Sequence, residues 1–183
     1  MDFQNTENEL IESIKRGNTD AFRRFVELYE KSIANIVIGM LGNTQEAENI
    51  AQDAFIKFFY NVDKFRKESS ARTYLTRIAI NLSLNEIKKN KIRNSRIENV
   101  ENIASYEGKA IHEPGNFELR DILNEALEKL EKGQRAVFIL RMIEGYSTKE
   151  TAKILKIPLG TVLSRLYRAT EIMKNRLKEY KYH

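Results

Sequence analysis

Residues 146–170 hold two helical segments separated by so little chain that they must form a tight corner. Ser147 is a natural N-cap, and Glu150 three residues later completes a capping box. The first helix then runs from Thr148 to about Leu155, with Ile154 and Leu155 facing inward and small Ala152 where two helices cross closely. Pro158 stops that helix from continuing and suits the first turn of the next. Val162, Leu166, Ala169 and Met173 recur at spacings of four, three and four, which is one face of a helix. Ser164, Arg165, Tyr167, Arg168 and Glu171 fall on the other faces. This is the pattern of a helix-turn-helix, whose second helix can enter the major groove of DNA. An ordinary hairpin in a helical bundle has similar spacing. Ala152, the short turn and the cationic polar face favour the DNA reading. Lys156 stands where such turns commonly use glycine, so either it takes a positive φ or the turn differs locally, at a cost of about 1 kcal/mol.

Helical periodicity extends over most of the remaining chain, which has only two prolines and eight glycines in 183 residues. The fold class is therefore all-α. A helix over 7–16 starts at a Thr6–Glu9 capping box and ends at Gly17. Asp20 caps a second helix, whose apolar stripe includes Phe22, Phe25, Tyr29, Ile33, Ile36 and Met40, closed by Gly42. Asn43 or Thr44 starts a third, with Ile50, Ala54, Phe55, Phe58, Phe59 and Val62 inward. The period is lost over 64–70, a loop. Ser69 or Ser70 caps a fourth helix through Leu75, Ile78, Ala79, Leu82 and Ile87 that ends in Lys88, Lys89, Lys91 and Arg93. Residues 94–116 show no sustained period and read as a flexible linker with a few apolar residues to dock, Ile97, Val100, Ile103 and Ile111. Helices return over about 118–131 and 133–144, the second using Val137, Phe138, Leu140, Arg141 and Met142. The expected organisation is two small helical domains, 1–93 and 117–183, joined by the linker 94–116.

Several function classes are disfavoured. Cysteine is absent, which removes disulfides and thiolate metal sites. The two histidines, His112 and His183, lie in the linker and at the terminus, so a His-based metal site or catalytic triad is not expected. No nucleophile–base pair or phosphate loop is visible, and no cofactor is implied. No apolar run approaches the roughly twenty residues that span a bilayer, and the first residues lack a signal peptide. A soluble, cytoplasmic protein without membrane insertion is the expectation. The net charge of +5 is too small to name a partner.

Motifs in both halves resemble those of extracytoplasmic-function (ECF) sigma factors, small members of the sigma-70 family that carry regions 2 and 4. In the N-terminal half they are Asp20-Ala21-Phe22, Leu28-Tyr29, the run Glu46 to Lys57, Asp63-Lys64-Phe65-Arg66 and Tyr74 to Asn81. In the C-terminal half they are Leu140-Arg141, Glu144-Gly145-Tyr146-Ser147, Glu150, Ala152, Ile157-Pro158, Gly160-Thr161-Val162 and Ser164 to Ala169. The resemblance covers about 8–178. Departures include Tyr74 for a usual tryptophan, Asn49, Asn85 and Lys88 for Asp, Asp and Arg, and Ala71 for a common aromatic. Leu163 and Thr170 replace frequent basic residues and remove cations from the second helix of the corner.

The resemblance implies a protein that binds core RNA polymerase, directs it to promoter DNA and catalyses nothing itself. An anti-sigma factor is the usual further partner. Gln52, Asp53, Lys57 and Tyr60 would face the polymerase clamp. The loop 64–70 and the helix after it would read the −10 element, with a base flipped into a pocket of the loop. Lys64, Arg66, Lys67, Arg72 and Arg77 suit phosphates there, and Ser69, Ser70 and Asn81 offer short polar groups. Phe65 and Tyr74 lie nearby as stacking or core residues. In the −35 element, Leu163, Ser164, Tyr167 and Arg168 would face the major groove, and Thr148, Lys149, Gly160 and Thr161 the phosphates. Two other readings stay open from the residues: a free-standing helix-turn-helix regulator, and a degenerate sigma-like interaction protein.

Overall fold

The computed structural model describes residues 3–66, 68–97 and 117–179, and among them there is helix and turn but no strand. The elements in order are α1 (Phe3–Lys15), α2 (Thr19–Leu41), α3 (Gln45–Tyr60), a 3₁₀ turn (Val62–Lys64), α4 (Ala71–Ile97), α5 (Phe117–Glu128), α6 (Lys132–Phe138), a π turn (Ile139–Ile143), α7 (Thr148–Leu155) and α8 (Leu159–Glu179). Lys67 and most of the expected linker, 98–116, lie outside the described residues. So do its apolar residues Val100, Ile103 and Ile111.

The helix ends follow local chemistry, with three corrections. α1 begins at Phe3, so Thr6 and Glu9 sit inside it rather than forming its cap. Asn18, not Asp20, caps α2: its side chain accepts from the Ala21 N–H at 3.0 Å, while Asp20 pairs with Arg23 one turn on. α4 runs to Ile97, past the expected boundary at 93. Its basic end favours helix at a C-terminus and hid the continuation. As expected, Thr44 caps α3 through the Ala47 N–H. Ser70 caps α4 by accepting from the Thr73 N–H at 3.1 Å.

In the N-terminal half, α2, α3 and α4 pack around aromatic rings. Phe25 and Phe58 are fully buried and stacked, with centroids 4.3 Å apart. Phe65 and Tyr74 join this cluster at 5.3 Å from each other, so the rings near the expected −10 loop are core rather than free stacking platforms. Tyr29 donates a 2.6 Å hydrogen bond to Glu7, which ties α1 to α2.

The two halves do not stand apart. One continuous core runs from Leu10 of α1 to Met173 of α8. α2 packs against α5, α6 and the π turn, and α4 packs against α7. Gly39, in the last turn of α2, makes the approach possible. A Cβ there would lie 2.9 Å from Ile139 Cδ1 and 3.7 Å from Leu127 Cδ1. Arg135 of α6 reaches across to donate to the Met40 carbonyl at 2.8 Å, and also donates to the Glu128 carbonyl at 2.7 Å. It thereby satisfies carbonyls at the ends of α2 and α5 that no intrahelical N–H can reach. How the two helical halves pack on each other had no sequence signal, because periodicity names an apolar face but not its partner.

The π turn brings a further correction. Met142 was expected inward, yet it is 56% exposed. A π turn adds a residue to the helical repeat and rotates the side chains beyond it, and Arg141 instead donates to the Tyr146 carbonyl.

Candidate nucleic-acid interface

α7 and α8 form the helix-turn-helix. Ser147 Oγ accepts from the Glu150 N–H at 3.2 Å, and Glu150 Oε2 accepts from the Ser147 N–H at 2.8 Å, completing the capping box. The Ser147 hydrogen bonds hold the Glu150 carboxyl below its ordinary range. Lys156 ends α7 in the left-handed region, φ 53° and ψ 47°, with its N–H on the Ala152 carbonyl. The fully buried residue of α7 beside Ile154 is Thr151, while Ala152 is half-buried.

Val162, Ala169 and Met173 are buried, which turns the opposite side of α8 outward. Leu163, Ser164, Tyr167 and Arg168 are all exposed there, Tyr167 by 70%. They fall at steps of one, three and one, so they share a face. Gly160 and Lys149 are exposed, and Thr148 and Thr161 half-buried, at the N-terminal turns of α8 and α7. Backbone N–H groups at such turns suit phosphates. The Arg165 guanidinium lies against Gly133, where a Cβ would come within 2.9 Å of Nη1.

The residues expected around the −10 loop divide. Lys64, Arg66 and Asn81 are exposed, and Ser69 and Ser70 half-buried. A cavity of about 330 Å³ opens beside the loop, lined by Phe65, Ser69 and Ser70 and, from α1, by Glu7 and Asn8. The α1 wall had no sequence signal, because it is brought there only by packing. Arg72 and Arg77 are not free. Arg72 Nη2 lies 3.0 Å from Glu144 Oε2 and 3.0 Å from the Glu144 carbonyl, with its guanidinium 4.7 Å above the Tyr146 ring. Arg77 donates to the Lys153 carbonyl at 3.2 Å. Arg77 and Asn81 share a face of α4, whereas Arg72 lies roughly 140° around the helix from Arg77.

On α3, Gln52, Asp53, Lys57 and Tyr60 are exposed, Tyr60 by 77%. Ile56 is 49% exposed among them, and Leu28 is exposed on neighbouring α2. Neither was expected at a site. The available signal was that Ile56 falls off the buried stripe of Ile50, Ala54, Phe55 and Phe58. Among the described residues, no group of three or more His, Cys, Asp or Glu could hold a metal ion.

Comparison with known proteins gives the same division. Residues 25–92 match the family model described as Sigma-70 region 2, and 120–173 match Sigma-70, region 4. The chain is 33% identical over 178 residues to the ECF RNA polymerase sigma factor SigW of Bacillus subtilis, spanning 92% of this chain and 95% of that one. It is 32% identical to the ECF RNA polymerase sigma-E factor of Escherichia coli K12, spanning 97% of each. Among solved structures, it is similar to the sigma factor RpoE in complex with the anti-sigma factor NepR from Bartonella quintana, with a TM-score of 0.72, 27% identity and coverage of 86% of this chain and 96% of that one. CnrH in complex with the cytosolic domain of CnrY shares the fold, with a TM-score of 0.69 at 21% identity over 95% and 98% of the two chains.

A free-standing regulator leaves the region 2 match unexplained, and sigma factors are not catalytic. One expectation is overturned: ECF sigma factors are typically membrane-associated through an anti-sigma factor, which the expected cytoplasmic location does not match. Among the described residues, no helix is long and apolar enough to cross a membrane. The chain belongs to the ECF sigma factors of the sigma-70 family, which direct RNA polymerase to promoters.

Proposed function

We propose that this chain divides promoter recognition between its halves. Residues 1–93, with the rest of α4, dock on core RNA polymerase and read the −10 element. Residues 117–183 read the −35 element. The observation that carries this is the outward row Leu163, Ser164, Tyr167 and Arg168 on α8, set opposite the buried Val162, Ala169 and Met173. Arg168 has the donors for a bidentate contact to guanine. Leu163 cannot donate a hydrogen bond, but its apolar end suits a thymine methyl group. Thr148, Lys149, Gly160 and Thr161 hold phosphates.

In the N-terminal half, Lys64, Arg66, Lys67, Arg72 and Arg77 meet the −10 backbone, and Ser69, Ser70 and Asn81 offer polar groups to its bases. Gln52, Asp53, Lys57 and Tyr60 contact the polymerase, with exposed Ile56 supplying apolar area on the same helix. A relative is solved with an anti-sigma factor bound, and we extend a partner of that kind to this chain.

Reconstitution with bacterial core RNA polymerase tests the reading. The chain should co-elute with core, and transcripts from genomic DNA should share two upstream elements. Arg168→Ala should relax preference at one −35 position by about 1–3 kcal/mol and leave co-elution intact. Asp53→Lys should lower co-elution without unfolding the chain. If Arg168→Ala transcribes from the same starts with the same preference, the recognition face is wrongly assigned.

A further inference from the structure

A helix in the major groove usually selects bases by hydrogen bonds to their edges, and α8 is thinly equipped for that. Between Leu159 and Arg168 its exposed residues are Leu159, Gly160, Leu163, Ser164, Tyr167 and Arg168. The side chains of Leu159 and Leu163 neither donate nor accept, and Gly160 has none. Ser164 Oγ donates to the Thr161 carbonyl at 3.2 Å, which engages its one proton. Thr170 Oγ1 spends its proton in the same way, on the Tyr167 carbonyl at 2.8 Å. The Tyr167 hydroxyl and the Arg168 guanidinium are the outward donors left on this stretch.

Apolar surface is plentiful by contrast. Leu159 is 46% exposed and Leu163 56%. With Tyr167 they recur at steps of four, so they form one ridge that winds slowly around α8. Each step advances about 6 Å along the helix, at about 1.5 Å per residue. That is close to two base pairs at about 3.4 Å each. The apolar group that base pairs present in the major groove is the C5-methyl of thymine.

We propose that Leu159 and Leu163 read thymine C5-methyl groups about two base pairs apart in the −35 element. The inference rests on the −35 reading made under Proposed function and names what that face selects. Leu163 is then a changed contact rather than a lost one. A basic residue at its place would select by hydrogen bonding, whereas leucine selects thymine by taking a methyl group out of water.

Charge favours duplex DNA over an apolar protein helix as the occupant of the ridge. The corner that carries it is cationic, with Lys149, Lys153 and Lys156 of α7 and Arg168 of α8 all exposed. A duplex meets both features at once, since phosphates take the cations and methyl groups take the leucines.

The test uses the chain reconstituted with core polymerase and a promoter fragment recovered in that reconstitution. Each −35 thymine, on either strand, is replaced in turn by deoxyuridine. This removes the methyl group and leaves the hydrogen-bonding edge unchanged. Competition against the parent fragment at fixed salt reads relative affinity. Two replacements about two base pairs apart should each weaken binding about fourfold, the worth of one methyl group returned to water. Leu163→Ala should abolish the penalty at one of them and Leu159→Ala at the other, with co-elution unchanged. Both leucines are exposed, so neither truncation opens the core. A scrambled −35 element separates this inference from the reading beneath it. If no upstream element is shared, or scrambling leaves binding unchanged, the −35 assignment fails and the inference falls with it. If scrambling weakens binding but no deoxyuridine does, the −35 assignment stands and methyl reading is overturned. Penalties that persist in both leucine variants would show the methyl groups acting through the shape of the duplex, which overturns it equally. Undiminished binding of the parent fragment by both variants would mark the ridge as a protein-facing surface, and the proposal would again be wrong.

Discussion

Phe58 illustrates what a single side chain contributes. It is fully buried, stacks on Phe25 at 4.3 Å and lies 5.9 Å from Tyr74 and 6.4 Å from Phe65. Truncation leaves a cavity between three helices that close packing does not let collapse. Phe58→Ala should therefore destabilise the chain by about 3–5 kcal/mol, read as a lower urea midpoint. Tyr29→Phe removes the hydroxyl that donates to buried Glu7 and should cost about 1–2 kcal/mol. That core was legible residue by residue, because Phe25, Phe58 and their neighbours recur at helical spacing. Arg72 was legible only as a cation. Its ion pair with Glu144, 72 positions away, has no local signature.

Helix starts were readable wherever a side chain bonds its own backbone, as at Thr44, Ser70 and Ser147. They were misjudged where two polar residues competed, as with Asn18 and Asp20. The corner between α7 and α8 makes the chemistry testable. Lys156 carries a Cβ in the left-handed region, so Lys156→Gly should stabilise the chain by about 0.5–1 kcal/mol, net of the greater freedom of unfolded glycine. Ser147→Ala should cost about 0.5–2 kcal/mol through the lost cap. It should also change the acid limb. Because Ser147 lowers the Glu150 pKa, this carboxylate contributes stability that is present above its unfolded pKa and lost as pH falls through its folded one. Urea midpoints of Ser147→Ala and the parent chain should therefore differ less at pH 3 than at pH 7. A gap that widens toward pH 3 would contradict the capping-box account. The π turn at Ile139–Ile143 escaped the sequence because a continuous apolar run carries no mark of where the repeat stretches.

At the scale of the molecule, one core joins both halves. Unfolding should be a single cooperative transition, with the same midpoint by far-UV circular dichroism and calorimetry. Gly39→Leu should split it in two, because the wedge removes the packing of Ile139 and Leu127 on α2. A split transition in the parent chain would show the halves to be thermodynamically independent. The sequence by itself determined the class of the fold, nearly every helix, the helix-turn-helix and its outward row, and the family. The family rests on the resemblance of motifs; the rest follows from period, caps and turns, which act within a few residues. Only the tertiary structure decided that α1 walls the cavity beside Phe65, Ser69 and Ser70, that Gly39 seats Ile139, and that Glu144 and Tyr146 hold Arg72 and Thr76. Those contacts join residues about 60 to 100 positions apart. An amphipathic helix needs some apolar partner to leave water, and its pattern is satisfied by any face of matching shape, so the choice among partners emerges only when the whole chain is packed.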